Sequence, residues 1–93
     1  MAIVRMDLDQ ARQTIDTMRR TLDELNSQLS GLNGSVNGLL GAWEGQAQRQ
    51  FDGTWTGWYS RFQTAINELQ PMISGLETER REMEEADNSS NFA

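Results

Sequence analysis

Cysteine, histidine and lysine are all missing from this 93-residue chain, and proline occurs once. Without cysteine there is no disulfide framework, thiol nucleophile or thiolate metal site. Without histidine, the usual zinc ligand and the usual base of a catalytic triad are gone as well. General acid and base chemistry would fall to carboxylates, most of which take surface-facing helix positions. The sequence therefore reads as a non-enzyme, with no catalytic residue, cofactor or metal. Long apolar runs are also lacking: nothing approaches the roughly 20 apolar residues of a membrane span. The opening Met-Ala-Ile-Val-Arg-Met-Asp has no apolar core of signal-peptide length. Both features argue against stable membrane insertion and against export through a signal-peptide route.

Positive charge is scarce. The net charge is -6, and nucleic acid, which needs a basic stripe along the phosphates, is a poor partner. The imbalance lies in the second half: up to Trp43 four arginines face five acids, and after it four arginines face nine. Six of those acids, Glu77, Glu79, Glu82, Glu84, Glu85 and Asp87, crowd what should be the end of a helix, where they oppose its dipole. In a folded-back chain this end would lie beside the positive start of the first helix, with Arg5 opposite Glu82. A merely solvated acidic face is the alternative.

What the chain has is two heptad stripes about a Trp-Glu-Gly triplet, Trp43-Glu44-Gly45. Leu8, Ala11, Ile15, Met18, Leu22, Leu25, Leu29, Leu32, Val36 and Leu39 advance by threes and fours, the rhythm that keeps one helix seam apolar. After the triplet the same rhythm runs through Phe51, Trp55, Trp58, Phe62, Ala65, Leu69, Met72 and Leu76. Read in reverse, the two series pair to a constant: 36 with 51, 32 with 55, 29 with 58, 25 with 62 and onward each total 87. A fold-back at 43 and 44 would bring the seams together layer by layer.

These patterns predict an all-α chain, an antiparallel two-helix hairpin. Helix one covers about 7–40, capped by Asp7 or Asp9. A turn spans 41–45, and helix two covers about 46–86 with a kink near Pro71, where an N–H is lost and the carbonyl of Asn67 is crowded. Residues 87–93 form a polar, flexible tail. Gly41 is placed as a left-handed helix cap. The stretch Gly31 to Gly41 is ambiguous, since each glycine costs a helix about 1 kcal/mol relative to alanine. A loop is one solution. The heptad running on through Leu32, Val36 and Leu39 favours the other, a helix whose small residues admit close approach by a second helix or a large ring.

A single hairpin of this size cannot bury both sides of its helices. Trp55, Trp58 and Phe62 are large rings, each removing on the order of 150–250 Å² from water when covered. The chain is therefore expected to dimerise into a four-helix bundle. The hairpin and dimer contacts would be carried by Leu25, Leu29, Leu32, Val36, Phe51, Trp55, Trp58, Phe62, Ile66 and Leu69. Ile66 and Ile73 flank the predicted seam of helix two.

A chain of this length with Trp43-Glu44-Gly45 between two long helices resembles the WXG family of small, virulence-associated effectors of type VII secretion, the early-secreted-antigen-like proteins. The resemblance spans essentially the whole chain. It implies a hairpin that pairs with itself or with a WXG paralogue, folds in the cytoplasm and is secreted without a cleavable signal peptide. It also implies recognition by a membrane-anchored secretion ATPase, with Trp43 and Gly45 in the turn contributing to the recognised surface. The family's export signal, Tyr, three residues, then Asp or Glu, is absent after helix two. Tyr59 is followed four residues on by Gln63, and Met83 with Asp87 keeps only the spacing, as a degenerate export signal. The function implied is a secreted substrate or co-substrate acting as a dimeric interaction module. The alternative is an intracellular adaptor or chaperone that packs on a larger toxin or paralogue and targets it for export.

Overall fold

The computed structural model describes residues 5–90. Two helices follow in chain order, α1 (Leu8–Gly41) and α2 (Gln46–Ser90), in an all-α, hairpin-like arrangement with no strand among the described residues.

The start of α1 is set by Asp7. Its Oδ1 accepts the backbone N–H of Gln10 at 3.0 Å, and its carbonyl accepts that of Ala11 at 2.9 Å. This satisfies donors that a helix start otherwise leaves free. α1 then runs as one helix through Gly31, Gly34 and Gly38. The loop alternative for this stretch is thus wrong, and the reason lies in the buried residues Leu29 and Val36. Covering one such side chain is worth about 1.5–3 kcal/mol, enough to offset a glycine's penalty. The close approach expected of the glycines is also absent within the chain: a Cβ built at Gly31, Gly34, Gly38 or Gly41 would meet nothing within 4 Å.

The helix α2 passes through exposed Pro71 without a break in its assignment, with buried Ile66 and Ile73 on either side. The tail expected from 87 onward instead continues the helix to Ser90; residues 91–93 lie outside the described residues.

The chain divides into two compact units, each pairing a part of α1 with a part of α2. One, Leu22–Glu68, contains the turn, and its buried residues are Leu22, Leu29, Val36 and Ile66. The other joins the chain up to Thr21 with the chain from Leu69 onward, and buries Ala11, Ile15 and Ile73. On α1 the large buried side chains at 15, 22, 29 and 36 recur every seven residues, the spacing at which a helix presents one edge to a partner.

Candidate functional site

The turn is built by local hydrogen bonds. Ala42 and Trp43 donate their N–H groups back to the carbonyls of Leu39 and Leu40, at 3.0 and 3.4 Å. The side-chain amide of Gln48 reaches the Leu40 carbonyl at 3.3 Å, so α1's end is closed by the first turn of α2. Gly45 has φ of 117°, a region that a Cβ makes costly, and its carbonyl accepts the N–H of Arg49 to open α2. The left-handed residue is therefore Gly45. Gly41, expected in that role, is the last residue of α1. Glu44 is exposed. The Trp43 indole is half-buried and leans on Phe51, with ring centroids 6.0 Å apart and planes at 44°.

Beyond the turn, one of the two columns of the predicted seam of α2, that of Trp58, Ala65 and Met72, is displaced by one residue. Ile66 and Ile73, expected as flanks, are buried, and Trp55, Tyr59, Phe62, Leu69, Leu76 and Arg80 are half-buried beside them. The predicted column Phe51, Trp58, Ala65 and Met72 faces outward, with Met72 60% exposed. The cause is that both columns are apolar and adjacent, about 100° apart on the helix. Ring size drew the reading to Trp58, whereas the β-branched isoleucines pack inside. On α1 the buried column is flanked by half-buried Leu25 and by exposed Leu32 and Leu39.

The Leu22–Glu68 unit thus gathers Leu25, Leu32, Leu39, Phe51, Trp58 and Ala65 outside its core. The rings in it are stacked: Trp55 on Trp58 at 5.2 Å and Trp58 on Phe62 at 5.0 Å, the latter pair within 12° of parallel. Trp55 also donates its indole N–H to the Asn33 side-chain oxygen at 3.1 Å. That bond satisfies the polar atom of a part-covered ring and gives α2 a fixed height against α1. Sequence reasoning missed it, although Asn33 at the edge of an apolar stripe was a visible signal. An open groove of about 520 Å³ lies beside Trp58, walled by Leu25, Leu29, Leu32 and Phe62 and containing no ionisable residue.

The other unit carries a set of ion pairs beside its buried Ala11, Ile15 and Ile73. Arg12 pairs with Glu84, and Arg19 with Glu77 at 3.5 Å. Between those glutamates, on the same edge as Ile66 and Ile73, Arg80 is only 13% exposed in its side chain and bonds both. Its guanidinium holds the Glu77 carboxyl below the usual 4.5, through the hydrogen bond first and then through its charge, with Arg19 and Arg81 adding and desolvation opposing. Glu77 and Glu84 hold Arg80 above its ordinary value in return. The acids at this end are thus partly compensated by α1. Arg5, expected opposite Glu82, lines a groove with Met83 and Asp87 instead. Met83 is half-buried there and Asp87 exposed, both inside α2.

A family model described as proteins of 100 residues with WXG matches residues 3–88. The chain belongs to the WXG100 family. No curated protein and no solved structure matches it. WXG100 members are small helical proteins of type VII secretion, generally not enzymes. This chain is accordingly a type VII secretion-associated helical hairpin. No helix among its described residues is long and apolar enough to cross a membrane.

Proposed function

We propose that this WXG100 protein is a secreted substrate or co-substrate of type VII secretion, working without catalysis as a dimeric protein-interaction module. Its partner is a second copy or a WXG paralogue, and together they complete a four-helix bundle. It folds before export, needs no cleavable signal peptide, and is taken up by the membrane-anchored secretion ATPase through a surface that includes Trp43 and Gly45. Met83 and Asp87, inside α2, keep only the spacing of the family's export signal. With an apolar residue in the tyrosine position, that signal is degenerate, which favours export as a pair.

The observation that carries this reading is the exposed apolar set Leu32, Leu39, Phe51 and Trp58, with half-buried Leu25 beside them, on the unit that holds the turn. Exposed apolar side chains in one contiguous set, as opposed to scattered ones, mark contact surfaces.

The test is genetic. Deleting the secretion ATPase in the host should remove the protein from the culture medium while it persists in the cells. Export that continues without the ATPase refutes the reading, and retention in the cell bound to a large toxin in both strains supports the adaptor in its place.

A further inference from the structure

Two asparagines of α1 stand directly before glycine, as Asn33-Gly34 and Asn37-Gly38. Such an asparagine carries its own reactant: the backbone nitrogen of the next residue can reach the side-chain Cγ, and a glycine there has no Cβ to obstruct the approach. Asn26 and Asn67 precede serine and glutamate, whose side chains crowd the same path. Both asparagine-glycine pairs fall inside α1, which runs unbroken from Leu8 to Gly41. In a helix each glycine N–H is committed to the carbonyl four residues back, and the asparagine ψ is held at about −42°, turned away from the angle that ring closure needs. Asn33 is restrained a second time, because its side-chain oxygen accepts the Trp55 indole N–H at 3.1 Å. Asn37 is exposed. Gly31, Gly34, Gly38 and Gly41 crowd this stretch, and at about 1 kcal/mol each they lower the cost of opening it locally.

We propose that Asn33 and Asn37 are self-modification sites, kept unreactive by the folded helix and converted to aspartate and isoaspartate once α1 opens. The glycine nitrogen gives its proton to solvent and attacks the asparagine Cγ, forming a new C–N bond. The bond from Cγ to the side-chain amide nitrogen breaks, and that nitrogen takes up protons and leaves as ammonia, closing a cyclic imide. Water then opens the imide. Attack at Cγ restores the ordinary peptide link beside an aspartate; attack at the backbone carbonyl leaves the chain running through Cγ, as isoaspartate with one extra backbone carbon. That carbon breaks the spacing on which the i to i−4 ladder depends. Leu32, Val36 and Leu39 then no longer share one helix edge. Opening of α1, reversible while it is brief, becomes one-way for a chain that stays open long enough to convert.

Incubation at mildly alkaline pH, in buffer and in unfolding urea, followed by tryptic peptide mapping in a mass spectrometer, tests this. Cleavage after Arg20 and Arg49 releases one peptide, 21–49, that holds Asn26, Asn33 and Asn37 together. In urea, Asn33 and Asn37 should each gain one mass unit well ahead of Asn26 and Asn67. In the folded chain both should convert at least about ten-fold more slowly, as follows from an open fraction of a tenth or less. Equal rates folded and unfolded overturn the masking, and an unfolded chain in which Asn33 and Asn37 outlast Asn26 overturns the sites themselves. Trp55→Phe keeps a ring and removes the indole donor, and should raise the folded rate at Asn33 toward that at Asn37; an unchanged Asn33 rate overturns its second restraint. A Cβ at Gly34 or Gly38 meets nothing within 4 Å. The double variant Gly34→Ala with Gly38→Ala should therefore keep its helix signal, and in urea should convert at Asn33 and Asn37 no faster than at Asn26. Conversion at the natural rate in that variant overturns the role of the glycines. Chains carrying isoaspartate, separated by reversed-phase chromatography, should regain less helix than unconverted chains when urea is removed, and equal recovery overturns the one-way step.

Discussion

Ile73 and Met72 are neighbours in the sequence, and the two-residue contrast between them measures the register of α2. Ile73 is 4% exposed and Met72 60%. Truncating a buried isoleucine to alanine costs about 2–5 kcal/mol, the low end applying where neighbours can close over the hole, as two helices can. For Ile73→Ala we expect about 2–3 kcal/mol on that ground. Met72 has little area removed from water, so Met72→Ala should cost under about 1 kcal/mol. With a urea dependence of about 1.5 kcal/mol per molar for a chain of this size, the midpoint should fall by about 1.3–2 M for Ile73→Ala and by about 0.7 M or less for Met72→Ala. Both belong in one dilute series at equal protein concentration, because pairing contributes to apparent stability by mass action. The helix signal in circular dichroism supplies the curve. If Met72→Ala lowers the midpoint as much as Ile73→Ala, the outward column is the true seam, and the packing argued from burial is wrong.

Two further outcomes follow from particular residues. Gly45, at φ 117°, should lose about 1–3 kcal/mol on change to alanine, whereas Gly38, helical and with room for a Cβ, should gain about 0.5–1 kcal/mol. Melting temperatures moving in the same direction would contradict the turn geometry. Because the folded carboxyl of Glu77 lies below its ordinary 4.5, its contribution to stability is present above the unfolded value and is lost as pH falls through the folded one. NMR titration should find Glu77 ionising below 4.5 in the natural chain and rising toward that value in Arg80→Gln; a Glu77 that titrates at or above 4.5 with Arg80 in place refutes the clasp.

The fold class was legible because its carriers are repetitive. A heptad through Ile15, Leu22, Leu29 and Val36 repeats one spatial instruction, and Trp43-Glu44-Gly45 interrupts it once, so a two-helix chain with a single reversal is hard to misread. What resisted reading was choice between neighbours of equal hydropathy. Trp58 or Tyr59, Ala65 or Ile66, Met72 or Ile73: each pair offers an apolar residue to two adjacent edges of α2, and only the packed partner on α1 decides which edge goes inside. Arg80 gave no sign of its place for a related reason. It stands seven residues after Ile73, in the column of the core, yet its charge reads as surface until Glu77 and Glu84 are seen to wrap it. The glycines of α1 suggested a close neighbour by their small size, and none lies against Gly31, Gly34, Gly38 or Gly41 within the chain.

Trp43, Trp55 and Trp58 all fall between residues 22 and 68, with Tyr59 among them. Ultraviolet emission from this protein is therefore a local instrument. It watches the half that holds the turn, through a ladder of neighbouring rings, and it is blind to the half that buries Ala11, Ile15 and Ile73. A melting curve followed by fluorescence and one followed by circular dichroism need not coincide, and any gap between them would report one half loosening before the other.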